Sequence, residues 1–110
     1  MKCVFEAEIS KKAEVISLLE ADPYGKEEQG EFAGRSFSRN GYKFKEGLML
    51  GEDKEKVFVY LKGPDDFLPF ATKKFEGIAK RCSPEDEARI LKKIDDEEQG
   101  AEMGVGAIFG

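Results

Sequence analysis

Lys56-Val57-Phe58-Val59-Tyr60-Leu61-Lys62, followed at once by Gly63-Pro64-Asp65-Asp66, decides the fold. Val57, Val59 and Leu61 alternate with Phe58 and Tyr60, so a strand here is apolar on both faces and belongs in the middle of a sheet or under cover on both sides. Gly63-Pro64 then breaks the sheet, and Asp65 or Asp66 can cap a following helix. Phe67, Ala71, Phe75, Ile78 and Cys82 recur at spacings of 4, 4, 3 and 4, which predicts one helical stripe with Pro69 in its first turn. Gly77 weakens that helix by up to about 1 kcal/mol relative to alanine.

Toward the N-terminus, Asn40-Gly41 offers the two φ > 0 residues of a type I′ turn with aromatic residues on both sides. The expected hairpin covers about residues 32–50 and sets Arg39 opposite Tyr42, Ser38 opposite Lys43, Phe37 opposite Phe44 and Arg35 opposite Glu46. The aromatic pair and the ion pair would each contribute from tenths of a kcal/mol up to about 1 kcal/mol. A second turn at Gly51–Glu55 makes residues 42–62 an antiparallel pair. Earlier still, residues 1–9 alternate as a strand, with Cys3, Phe5, Ala7 and Ile9 on one face. Ser10 offers a cap, and Ala13, Val15, Ile16, Leu18 and Leu19 give an amphipathic helix that Pro23 ends. Residues 20–31, rich in Glu and Asp, read as a solvated connection.

Toward the C-terminus, Ser83-Pro84-Glu85-Asp86 is a helix start, with serine as cap, proline at the first position and acids in the first turn. Ala88, Ile90, Leu91 and Ile94 carry the helix, which is expected to stop near Gly100. Met103, Val105, Ile108 and Phe109 then sit among Gly104, Gly106 and Gly110. That stretch is too apolar for an ordinary solvated tail and too glycine-rich for a helix, so it reads either as a surface for a protein partner or as a segment that closes the chain's own core. The expected fold is α+β: an antiparallel sheet of about four strands in the order β-α-β-β-β-α-α, with helices packed on one face. Residues 1–100 form a single domain and residues 101–110 an apolar, glycine-rich C-terminal tail.

Composition narrows the chemistry. None of the 110 residues is histidine, which removes the commonest general base and metal ligand and with them the Ser-His, Cys-His and Zn-His constellations. The net charge of −5 disfavours wholesale attraction to nucleic acid or to an anionic membrane. No run approaches the ~18 apolar residues of a membrane span. Met1-Lys2-Cys3-Val4-Phe5 lacks the apolar core of a secretory signal, and the two cysteines are far apart, so the chain reads as a cytoplasmic, acidic protein with reduced thiols.

No residue pattern assigns a catalytic, cofactor-binding or metal-binding role. Cys3 and Cys82 fall on apolar faces and read as small buried hydrophobes rather than nucleophiles. Asp65-Asp66 read as caps, and Asp95-Asp96-Glu97-Glu98 as a solvated face. Gly104-Val105-Gly106 lacks the strand, helix and lysine of a phosphate loop. Two basic groups stand out: Arg35, Arg39, Lys43 and Lys45 with Tyr42 to stack, and Lys73, Lys74, Lys80 and Arg81. Cations interleaved with aromatics suit single-stranded RNA, although lysines on a strand also protect an exposed edge.

The order of strand, helix, antiparallel strands and helix over residues 3–80 resembles the small dimer-forming subunit of the archaeal and eukaryotic KEOPS tRNA-modifying complex. The likeness lies in Phe5-Glu6-Ala7-Glu8-Ile9 before the first helix, and in Val57–Leu61 followed by Gly63-Pro64-Asp65-Asp66 before an apolar helix. It implies a non-catalytic dimerisation platform and carries over no functional residue. The sequence thus points first to a non-enzymatic protein-interaction or self-association (homodimer) domain, with Met103, Val105, Ile108 and Phe109 as partner contacts. The alternatives are an RNA-contacting module using Arg35, Arg39, Tyr42, Lys43 and Lys45, and a small-ligand protein or enzyme using Asp, Glu, Tyr or Cys.

Overall fold

A computed structural model describes the backbone of residues 1–27 and 30–109, and the side chains of these except residue 31 and residues 98–109. Along the chain run β1 (Lys2–Glu8), α1 (Lys12–Glu20), α2 (Phe37–Asn40), β2 (Tyr42–Glu46), β3 (Lys56–Lys62), α3 (Phe67–Phe75), β4 (Lys80–Arg81) and α4 (Pro84–Phe109), with 3₁₀ turns at Ile9–Lys11, Gly30–Phe32 and Gly47–Leu50. The sheet is antiparallel, in the order β2-β3-β1-β4. The α+β class and the four-stranded antiparallel sheet are as the sequence indicates, and β3 lies inside the sheet.

The two apolar faces of β1 and β3 belong to two cores. Cys3, Phe5 and Ala7 stand across from Leu61, Val59 and Val57 and meet Val15 and Leu19 of α1, Phe37 of α2, and Phe67, Phe70, Ala71 and Phe75 of α3. Phe37 is the hub of an aromatic cluster, its ring centroid 5.8, 5.3 and 4.9 Å from those of Phe67, Phe70 and Phe75. On the opposite face Val4, Phe58 and Tyr60 meet Leu50, Cys82, and Ile90 and Ile94 of α4. Helices therefore cover both faces of the sheet, not one as expected from the sequence. The second face needs its cover, because leaving Val4 and Phe58 wet would forfeit about 1.5–3 kcal/mol for each large side chain.

The expected hairpin does not form. A type I′ turn needs φ > 0 at both central residues, yet Gly41 has φ of 88° and Asn40 is helical. Ser36 Oγ accepts the Arg39 N–H at 3.1 Å, which caps the single turn of α2, and the Gly41 N–H returns to the Phe37 carbonyl at 2.8 Å. Asn40 Nδ2 donates to the Lys62 carbonyl at 3.2 Å. Asn-Gly thus closes a helix, and burial of Phe37 takes precedence over its pairing with Phe44. Arg35 pairs with Asp66 and Glu46 with Lys12, so the expected Arg35–Glu46 pair is absent too.

The expected strand order changes with it. The 67–82 helix stops at Phe75, and Gly77, at φ of 78°, turns the chain so that Lys80 and Arg81 return as β4 beside Glu6 and Phe5. Ile78 consequently packs on the first core and Cys82 in the second. The fourth strand comes from this segment rather than from residues 32–39.

Helix starts agree in part. The Asp86 N–H donates to Ser83 Oγ at 3.3 Å and Pro84 opens α4, as the sequence indicates. Ser10 lies in a 3₁₀ turn and caps nothing, and Asp66 stands at the start of α3 without a capping bond. α4 does not stop near Gly100 but continues to Phe109. Once its first turns are fixed against the sheet, each further residue adds a hydrogen bond without a new nucleation cost, which offsets the glycines. Among the described residues no helix is long and apolar enough to cross a membrane.

Candidate interaction surface

Placed on this fold, the hairpin cations separate. Arg35 pairs with Asp66, and the Arg39 guanidinium donates to the carbonyls of Gly34 at 3.1 Å and Tyr24 at 3.4 Å. Tyr42 leans on the first core, whereas Lys43 and Lys45 stand across from Tyr60 and Phe58 on the α4 face. The Lys43 ammonium lies 5.5 Å from the Tyr60 ring centre, and Lys45 donates to Glu97 at 3.1 Å. The structure brings together Lys43 and Lys45 and parts them from Tyr42, Arg35 and Arg39. In the second basic group, Lys73 lies over the Phe32 ring and Lys74 over that of Phe70, Lys80 is 3.7 Å from Glu6, and Arg81 grips Glu87. The side chains of Met103, Val105, Ile108 and Phe109 lie outside the described residues.

Both cysteines are buried and free. Burial, with the Glu87 charge adding to it, pushes the Cys3 thiol up to about 11 against the opposing Arg81 charge. Burial and then the charge and hydrogen bond of Glu6 push Cys82 up to about 12. Neither is a thiolate near neutrality. A cleft of about 460 Å³ between β1, β3 and β4 is lined by Glu6, Lys11, Lys56 and Lys80 among others. Its buried carboxylate is already met by Lys56 at 3.4 Å, Lys80 at 3.7 Å and the Cys82 thiol at 3.5 Å. Among the described residues no group of three or more acidic or cysteine side chains is arranged to hold a metal.

A different feature went unnoticed in the sequence. The 3₁₀ turn Gly47–Leu50 buries Leu50 but leaves Leu48 and Met49 70% and 71% exposed, directly after the edge strand β2. The turn is held from behind. A Cβ on buried Gly47 would sit 1.9 Å from the Asp53 carbonyl oxygen, so only glycine fits there. Gly51 leaves the turn at φ of 68°, and the Glu52 N–H donates to the Gly47 carbonyl at 2.8 Å. Glu52 accepts two bonds from Arg89 at 2.8 and 2.9 Å and a third from Lys93 of α4. The Arg89 bond foremost, joined by Lys93, holds the Glu52 carboxyl down at about 2 despite its burial. Leu48-Met49-Leu50 between Gly47 and Gly51 was the available signal: an apolar run too short for a strand and fenced by glycines.

No family model, curated protein or solved structure matches the chain.

Proposed function

We propose that this chain is a non-catalytic protein-interaction domain whose contact surface is the Gly47–Leu50 turn together with the open edge of β2. The observation that carries the proposal is the outward presentation of Leu48 and Met49 on a turn that packing, glycine geometry and the Glu52 bonds hold in place. A rigid apolar pair loses little conformational entropy on docking, which is the property of a binding anchor. Buried, protonated thiols and internally satisfied carboxylates support a role in contact rather than in catalysis. A cytoplasmic setting is part of the proposal and is supported by the two unpaired thiols. Self-association, as in the KEOPS-type dimerisation platform that the sequence resembles, is one form of it, and the 101–110 segment is a further contact region. RNA contact draws less support, since the fold holds Arg35 and Arg39 with partners away from Lys43 and Lys45 and turns Tyr42 to the opposite face, so cations and aromatics do not interleave on one surface.

A photo-crosslinking side chain in place of Leu48, in the cells that make the protein, tests the proposal. A discrete protein adduct that Met49→Asp abolishes is the expected result, and an adduct of twice the chain mass identifies self-association. No adduct beyond that from a crosslinker at exposed Lys54, or a nuclease-sensitive adduct alone, overturns it.

A further inference from the structure

β2 lies at the edge of the sheet, with β3 on one side. All five of its residues are partly exposed. On the α4 face it presents Lys43 and Lys45, and on the other face the aromatic rings of Tyr42 and Phe44, followed by Glu46, which Lys12 holds. A strand added to this edge would lay its residues beside these two rows, one cationic and one aromatic.

A second copy of β2 is the wrong occupant. Two copies related by a two-fold through Phe44 set Lys43 of one against Lys45 of the other, and like charges directly opposite are destabilising. Shifting the register by two residues only sets lysine against its own equivalent. The other edge, β4, is no better. Lys80 stands beside Glu6 on the same face as Lys43 and Lys45, so a β2–β4 contact between copies also opposes cations. The chain as a whole carries a charge of −5, yet both its sheet edges are basic. Such lysines repel like edges and attract an edge of opposite charge.

Resting on the interaction surface proposed above, we infer that β2 binds an extended acidic segment of another protein, alternating Glu or Asp with apolar residues. The acids lie beside Lys43 and Lys45, and the apolar side chains cover Tyr42 and Phe44. The Lys45–Glu97 pair is exposed, so an incoming carboxylate can take its place at little cost.

Two labelled peptides test this: one alternating glutamate with valine and phenylalanine, the other with lysine in place of each glutamate. Fluorescence anisotropy and amide exchange over residues 42–46 are the readouts. The glutamate peptide should bind, slow exchange in β2 and weaken with salt. Lys43→Glu/Lys45→Glu should cut its affinity by about tenfold or more and favour the lysine peptide. The neutral Lys43→Gln/Lys45→Gln variant should fall between and guards against a folding defect. Equal binding of the two peptides, or binding that protects no β2 amide, overturns the inference, as does an RNA oligonucleotide that alone protects β2. If the peptides fail while the crosslink at position 48 succeeds, the partner chemistry is wrong and the surface stands; if both fail, the surface falls.

Discussion

Glu87, in the first turn of α4, accepts the backbone N–H of Val4 at 3.0 Å. β4 is only two residues long, and the carboxylate takes the place in the ladder that a longer strand's carbonyl would fill. Arg81 holds both Glu87 oxygens at 2.9 Å. Burial pushes the Glu87 carboxyl up, but the Arg81 bonds, the Val4 N–H and the Arg81 charge together leave it below the usual carboxylate range.

Glu87→Ala should therefore lower the unfolding free energy by about 1–3 kcal/mol, because it strands the buried Val4 N–H and takes the partner from the exposed Arg81. Urea denaturation measures the loss, and the Val4 amide should exchange faster. An unchanged midpoint would show that Glu87 does not complete the ladder.

Glu52 gives a pH dependence of defined sign. Its carboxyl is held at about 2 against an ordinary 4.5, so its contribution is present above the ordinary value and disappears as pH falls from there through the folded value. Urea midpoints followed over that acid range should decline less steeply for Glu52→Gln than for the native protein. Parallel declines would contradict the Arg89 and Lys93 ties.

The thiols give a kinetic expectation. With Cys3 at about 11 and Cys82 at about 12, the protonated forms are favoured in the fold; this stabilisation is complete below the ordinary value of 9.0 and lost as pH rises through the folded values. At pH near 8 a disulfide reagent should modify the native protein about a hundredfold or more slowly than the denatured chain, since reaction must await opening. Rapid modification of Cys82 alone would mean that α4 does not cover it.

What the sequence disclosed and what it concealed divide along physical lines. Periodicity located β1, β3 and the core of α1, and the Ser83-Pro84 cap signature located the start of α4, where local pattern and burial agree. Asn40-Gly41 misled because the same positive-φ preference serves a hairpin turn and a helix end, and only the burial of Phe37 selects between them. The 67–82 stripe misled because Ile78 and Cys82 keep helical spacing by coincidence, while Gly77 turns the chain just before them. Of the surface, Lys43 and Lys45 were legible as strand lysines. Leu48 and Met49 were legible only as a short apolar run between Gly47 and Gly51, which marks a turn but does not tell outward residues from buried Leu50.

Because α4 follows all four strands, a chain emerging from the ribosome presents a sheet with one dry face and one wet. Val4, Phe58 and Tyr60 wait for Ile90 and Ile94, and until these arrive the nascent protein displays the kind of sticky surface that chaperones recognise. Docking of α4 against the finished sheet is thus the step that ends the danger of misassembly on this face.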